Sequence, residues 1–303
     1  MRVSKYYLII LFCAFSCQKE PKSTVEQDPQ DTITEITYSS DPDYVLQNES
    51  TESLLDHLES QQKELKTKLK SVNNRKDADL LFLQYQKKFA TLVDSLNSTE
   101  SEVLNMYGQW TENSKPDSIV VREKRFKQLG MFIRNIDSNY YDIKFLPGFY
   151  HKIFKNKVSH DLREYLSLIG KNNQLNYDIQ MNVKTFDVKD YRELAIEWEN
   201  YMRKYPKSEY QNKVYAAYEE VMMKYLLGNK KNKTFDEVSK RFNEQIEQEY
   251  IGMIKKYPKT KTAQITKEFM KFFYINDSQT RSSLFYKDLR NKAKEEITKA
   301  LNQ

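Results

Sequence analysis

The chain has 303 residues, of which 39% are hydrophobic and 30% charged, with a formal net charge of +6. Only six glycines and seven prolines occur, which disfavours an all-β fold with many tight turns and a glycine-rich phosphate-binding loop. The 22 tyrosines and 16 phenylalanines supply ample apolar surface and argue against a disordered chain.

Residues 1–16 have the pattern of a secretory signal peptide. Arg2 and Lys5 form a short positive start, and a run of apolar residues follows from Tyr6 to Phe15. A membrane-spanning helix needs about 20 apolar residues, so this run is too short to span a bilayer but suits a cleaved signal. We therefore expect an exported protein.

Both cysteines of the chain, Cys13 and Cys17, lie at the end of this segment. The sequence Ala14-Phe15-Ser16-Cys17 resembles the lipobox of bacterial lipoproteins, although that family prefers Leu where Ala14 stands and a smaller residue than Phe15. The resemblance implies cleavage between Ser16 and Cys17 and a diacylglyceryl group on the thiol of Cys17. It also implies anchoring in the outer membrane, with the membrane as a partner. The alternative is an accidental free thiol after an ordinary signal.

The resemblance has two further consequences. Gln18-Lys19-Glu20 is similar to the signal that sends some Bacteroidota lipoproteins to the cell surface, so both the periplasmic face and the surface remain open. Because Cys13 would be removed and Cys17 lipidated, the mature chain would contain no thiol and no disulfide.

Residues 17–50 are predicted to form a flexible acidic tether that follows the lipidated cysteine. Residues 18–50 carry eight acidic residues and two lysines, a net charge of −6, and residues 1–17 carry +2, so residues 51–303 hold +10. A basic domain is compatible with nucleic acid, but an exported protein does not meet it, and we predict no nucleic-acid partner. Envelope phosphates are an acidic partner within reach.

Residues 51–303 are predicted to form an all-α domain, either a helical bundle or an α-hairpin array. Apolar residues in the first part recur at steps of three and four, which is the period of a helix. The stripe consists of Leu55, Leu58, Gln62, Leu65, Leu69 and Val72. Further helices are predicted over residues 80–96, 103–110, 119–140 and 149–169.

The clearest pattern is a repeated corner, Tyr205-Pro206 and Tyr257-Pro258, 52 residues apart. Proline disfavours helical geometry in the preceding residue, so each corner ends one helix. Ser208 with Gln211 predicts a capping box for the next helix. Residues 188–303 are therefore expected to contain two α-hairpins.

The corners resemble those of tetratricopeptide-type outer-membrane lipoproteins, over residues 190–275. The spacing departs from the repeat of that family, which is about 34 residues. The stretch 149–272 is also similar to uncharacterised Bacteroidota lipoproteins, a likeness that implies no activity.

One segment breaks the helical period. Leu175, Tyr177, Ile179, Met181 and Val183 alternate with polar residues, which is typical of a strand. We predict an extended connection near residues 172–187, which would also mark a subdivision of the domain.

The sequence contains no recognised catalytic motif. The three histidines, His57, His151 and His160, lack the spacing of a metal pair, and we predict no catalytic residue, metal or cofactor. The candidate ligand-facing residues lie around the Pro147-Gly148 turn. They are Tyr140, Tyr141, Phe149, Tyr150 and His151.

Aromatic rings beside a turn can bind sugar rings or peptide side chains, or they can fill the junction between two elements. The predicted function is non-enzymatic binding of a partner protein or an envelope polymer through the helical hairpins. The alternative is a surface hydrolase or glycan-handling lipoprotein of nutrient uptake. A cluster of carboxylates in a deep pocket would favour the enzyme, and a shallow aromatic groove would favour the binding protein.

Overall fold

The computed structural model describes residues 50–111, 113–137, 140–229, 231–236, 239, 241–276 and 285–302. The predicted signal peptide, Ser16, Cys17 and all of the tether except Ser50 lie outside the described residues. Every described residue belongs to a single compact unit of the chain.

The described part of the chain is all-α, a helical bundle with two short antiparallel hairpins, which confirms the predicted fold class. The helices are α1 (Thr51–Ser71), α2 (Arg75–Thr99), α3 (Ser101–Met106), α4 (Asp117–Gln128), α5 (Phe149–Phe154), α6 (His160–Gln180), α7 (Val188–Lys204), α8 (Gln211–Leu227), α9 (Glu244–Lys256), α10 (Lys261–Asn276) and α11 (Phe285–Leu301). The strands are β1 (Met131–Asp137), β2 (Tyr140–Phe145), β3 (Phe235–Asp236) and β4 (Arg241–Phe242).

The helix–helix hairpins form where the sequence predicts them. α7 ends at Lys204 before the first corner and packs along α8, and α9 ends at Lys256 before the second corner and packs on α10. Apolar residues at helical spacing bury one face of each helix, and Trp198 is fully buried. The repeated Tyr-Pro corner is therefore a repeated turn between two packed helices.

A glutamate of α7 also fixes the start of α10. The carboxylate of Glu199 accepts hydrogen bonds from the backbone N–H groups of Lys261 (2.8 Å) and Thr262 (3.0 Å). The first N–H groups of a helix have no partner within the helix, so this carboxylate satisfies them from a neighbouring element. The second corner is thus joined directly to the first hairpin.

The predicted helix over residues 119–140 is wrong in its second half. α4 ends at Gln128, and residues 131–145 form the hairpin of β1 and β2. Gly130 stops the helix with a φ of +79°, and a Cβ there would lie 2.7 Å from the ring of Phe149. Only glycine adopts this positive φ and leaves room for the Phe149 ring without strain.

The prediction of an extended connection near residues 172–187 is wrong over residues 172–180. α6 continues to Gln180, and only residues 181–187 form an irregular link to α7. Asn172 and Asn176 are buried on α6, so part of the inward face of this helix is polar. The buried asparagines concealed the helical period and left an apparent strand alternation.

Candidate functional site

Two of the predicted aromatics, Phe149 and Tyr150, pack inside the domain. The ring of Phe149 stacks on Phe145 with centroids 4.1 Å apart, and the ring of Tyr150 meets Phe82 edge-on at 5.8 Å. Phe82 on α2 is fully buried. These rings fill the junction between α2, β2 and α5, as the packing interpretation of the aromatics predicts.

His151 follows on α5 and is half-buried. Burial, together with the positive charges of Lys155 and Arg163, lowers the pKa of His151 below its usual value. The imidazole is therefore neutral at neutral pH, and no carboxylate contributes to this shift.

The remaining two candidates, Tyr140 and Tyr141, point to opposite faces of β2, because successive strand residues alternate. Tyr140 is 64% exposed. Tyr141 lies against Tyr107, with ring centroids 5.0 Å apart, and Asn135 donates a hydrogen bond to its hydroxyl at 3.0 Å. Tyr141 thus belongs to a group of rings that the sequence pattern did not reveal.

That group, the aromatic cluster, consists of Tyr107, Trp110 and Tyr141. The rings of Tyr107 and Trp110 meet edge-on at 6.1 Å, and all three side chains are half-buried. A residue with a side chain at position 108 would disturb the cluster, since a Cβ on Gly108 would lie 3.0 Å from the ring of Tyr141. The tight turn at Tyr107–Gln109 therefore brings three amphipathic rings together at the surface.

The ion pair of Lys115 and Glu123 lies next to Tyr107 of the cluster. Lys115 Nζ lies 2.7 Å from a carboxylate oxygen of Glu123, 3.3 Å from the hydroxyl of Tyr107 and 5.1 Å from the centre of the Tyr107 ring. The Tyr107 hydroxyl donates to the same carboxylate. Burial in the first place, and then Glu123, raises the pKa of Tyr107 to about 12. The phenol therefore stays protonated at neutral pH and keeps this hydrogen bond.

Two other contacts hold β2 beside the cluster. The side-chain amide of Asn97 on α2 accepts from the N–H of Ile143 at 2.7 Å and donates to its carbonyl at 3.1 Å. Ile143 is fully buried. Asn97 thus gives a hydrogen-bond partner to both backbone groups of Ile143. These bonds hold β2, and with it Tyr141, in position beside α2.

The chemistry that this arrangement supports is binding. Glu123 is the carboxylate beside the rings, and it is already bonded to Lys115 and Tyr107. Over the described ranges, no three His, Cys, Asp or Glu side chains cluster closely enough to hold a metal ion. The exposed parts of the rings offer apolar faces with polar edges, which suit a sugar ring or a peptide side chain.

Sequence reasoning identified Tyr141 but missed Tyr107, Trp110, Lys115 and Glu123. Tyr107 and Trp110 are three residues apart, and the Lys115-Pro116 break separates them from α4. That local signal marks a turn rich in aromatics. Their meeting with Tyr141 depends on a hairpin that was predicted to be helical.

Cys17 and Ser16, predicted as the lipid anchor and the cleavage site, lie outside the described residues. Across the residues with described positions, no helix combines the length and the apolar character needed to cross a membrane.

Comparison with protein-family models, with curated proteins and with solved structures finds no match to this chain.

Proposed function

We propose that this chain is a non-enzymatic lipoprotein, anchored through Cys17 in the outer membrane, that binds a partner protein or an envelope polymer. The observation that carries the binding role is the half-buried aromatic cluster of Tyr107, Trp110 and Tyr141. The anchor rests on the resemblance of residues 14–17 to a lipobox.

The aromatic cluster supports a binding role for energetic reasons. Tyrosine and tryptophan are enriched among the residues that dominate binding energy, because each buries much area and loses few rotamers. Here the Lys115–Glu123 pair, the turn at Gly108 and the Asn97 contact hold the rings in place before any ligand arrives. Preorganisation of this kind lowers the entropy cost of association.

The position of Glu123 supports binding over hydrolysis. A glycoside hydrolase needs a pair of carboxylates, one of which gives or takes a proton. Glu123 instead accepts from the ammonium of Lys115 and the hydroxyl of Tyr107. Both donors occupy its oxygen atoms and compete with a substrate for them.

The test is capture of bound material from native outer membranes by the full-length lipidated chain. Trp110→Ala should weaken the binding of this material by about thirtyfold, the effect of losing an interface anchor worth about 2 kcal/mol. Tyr140→Ala is the matched control, since Tyr140 is an exposed aromatic residue beside Tyr141 on β2 but lies outside the cluster. Equal recovery with Trp110→Ala and with the wild type would contradict the proposal, provided that both melt at the same temperature.

A further inference from the structure

The corner between α9 and α10 carries exposed lysines without carboxylate partners. Lys255 and Lys256 lie in the last turn of α9, and Lys259 lies in the turn itself. All three are exposed, and none forms an ion pair with another described residue. Some lysines elsewhere on the described surface are paired with acids, as in Lys63–Glu59 (2.7 Å), Lys68–Glu64 (2.7 Å) and Lys171–Glu197 (2.5 Å), and others, such as Lys66 and Lys70, are exposed without such a pair.

The fold brings more positive charge to this corner than the turn alone contains. Lys261, at the start of α10, donates through Nζ to the carbonyl of Ala300 in the last turn of α11. This contact places Lys299, which is exposed, at the same end of the domain. Lys255, Lys256, Lys259 and Lys299 together form what we call the lysine corner.

The carboxylate of Glu199, which lies at this turn, is already engaged. Glu199 accepts from the N–H groups of Lys261 and Thr262 and from the Thr262 hydroxyl at 2.9 Å. Its oxygens face the start of α10, so they do not pair with the lysines of the corner. Glu268 on α10 is the acid near Lys299, and it is already paired with Lys271 at 2.6 Å, so the exposed charge of the corner is positive on balance.

A local explanation exists for the two lysines in the last turn of α9. Cations stabilise the C-terminal end of a helix by interacting with its dipole. That explanation covers Lys255 and Lys256, but Lys259 lies after the helix and Lys299 lies on a different one. A convergence of lysines from two helices and a turn is the arrangement that attracts a surface bearing many negative charges.

We propose that the lysine corner is the face through which the domain lies against a phosphate-bearing membrane surface. Lysine is a compact charge with three donors on a flexible stem, and it accommodates phosphate oxygens without a fixed geometry. Each lysine near an anionic membrane strengthens binding by about fivefold. The inference rests on the proposed function only in that the anchor at Cys17 delivers the domain to a membrane.

The experiment uses the chain from residue 17 onward with Cys17→Ser, so that neither the apolar signal segment nor an acyl chain masks the contribution of the lysines. Binding is measured by sedimentation with phosphatidylcholine vesicles, with and without phosphatidylglycerol. Lys255→Gln/Lys256→Gln/Lys259→Gln should lower the phosphatidylglycerol-dependent binding by about a hundredfold. The control is Lys63→Gln/Lys68→Gln/Lys171→Gln, which removes the same charge from paired lysines and should change this binding by less than about fivefold.

Competition with soluble polyphosphate separates two sources of the same phosphate chemistry. Displacement of the wild type from vesicles by polyphosphate supports phosphate recognition, whereas binding to polyphosphate without any binding to vesicles would overturn the membrane assignment. Equal loss in both triple variants would also overturn it, because net charge alone would then account for binding. Trp110→Ala should bind vesicles as the wild type does, so failure here is distinguishable from failure of the proposed partner site.

Discussion

Trp198 occupies the centre of the packing between α6, α7 and the first corner. Its ring lies 6.2 Å from Tyr165 and 6.4 Å from Tyr201, and it is fully buried. The indole Nε1 is also buried and has no hydrogen-bond partner. The residue therefore contributes through the area that it buries and the volume that it fills, against the cost of one unpaired N–H group.

Trp198→Ala should lower the free energy of unfolding by about 3–5 kcal/mol, the usual result of removing a large aromatic from a core. Trp198→Phe should cost much less, because it keeps an aromatic ring and removes the unpaired donor. Denaturant unfolding of both variants measures the difference. A Trp198→Ala variant within about 0.5 kcal/mol of the wild type would show that this indole is not part of the core.

The predicted capping box of Ser208 and Gln211 is wrong. The sequence predicts a capping box that starts α8, but the residue preceding α8 is Tyr210. The Ser208 hydroxyl instead donates to Asp161 on α6 at 2.8 Å and accepts from the N–H of Tyr210 at 3.3 Å. A partner from a distant part of the chain replaced the predicted local one, and sequence spacing does not reveal such partners.

The hairpin of β1 and β2 is held beside α2 by ring packing and by one polar side chain, Asn97. Two strands alone are marginal in water, so this hairpin needs contacts with helices. Asn97 supplies two hydrogen bonds to the backbone of Ile143. The position of Tyr141, and with it the aromatic cluster, follows from this contact.

Asn97→Ala should lower the free energy of unfolding by about 1–3 kcal/mol, since it leaves both backbone groups of Ile143 without a partner. It should also speed hydrogen exchange at the Ile143 amide. Asn105→Ala, an exposed asparagine on α3, is the matched control and should stay within about 0.5 kcal/mol of the wild type. Unchanged exchange at Ile143 would contradict the role given to Asn97.

At the level of elements, amphipathic helices with strong end signals were predictable, and irregular elements were not. α1, α2 and the hairpins at both Tyr-Pro corners follow from apolar period and proline. β1 and β2 were not predicted, because Ile133, Ile136 and Tyr140 also fit a helical spacing. Half of the candidate site was hidden for the same reason, since Tyr107 and Trp110 meet Tyr141 only if residues 131–145 fold back.

For the molecule as a whole, charge is unevenly distributed along the chain. Residues 18–50 carry −6 and residues 51–303 carry +10. Within the domain, the lysine corner concentrates part of this positive charge, while lysines such as Lys171 are neutralised by acids. An acidic tether is repelled by an anionic membrane surface and a basic domain is attracted to it.

The proposed anchor at Cys17 concerns the whole molecule, because it would decide where every other surface acts. If Cys17 is lipidated, the mature protein starts at Cys17 and carries two or three acyl chains, which hold a protein on a membrane far more firmly than one. Cys17→Ser cannot form the thioether, so we expect an uncleaved precursor or a protein released from the membrane fraction. Cys13→Ser is the matched control, since Cys13 lies in the segment that is removed, and it should leave processing unchanged.

Intact-mass analysis of the mature wild type decides between the lipidated and the unmodified cysteine. We expect an N-terminus at Cys17 with the added mass of the diacylglyceryl group, and an N-acyl chain where the cell adds one. An unmodified Cys17, or an N-terminus at another residue, would contradict the anchor. In that case the lysine corner would have to bind the domain to a membrane without a lipid anchor. The fold and the aromatic cluster would be unaffected, because residues 51–303 build both.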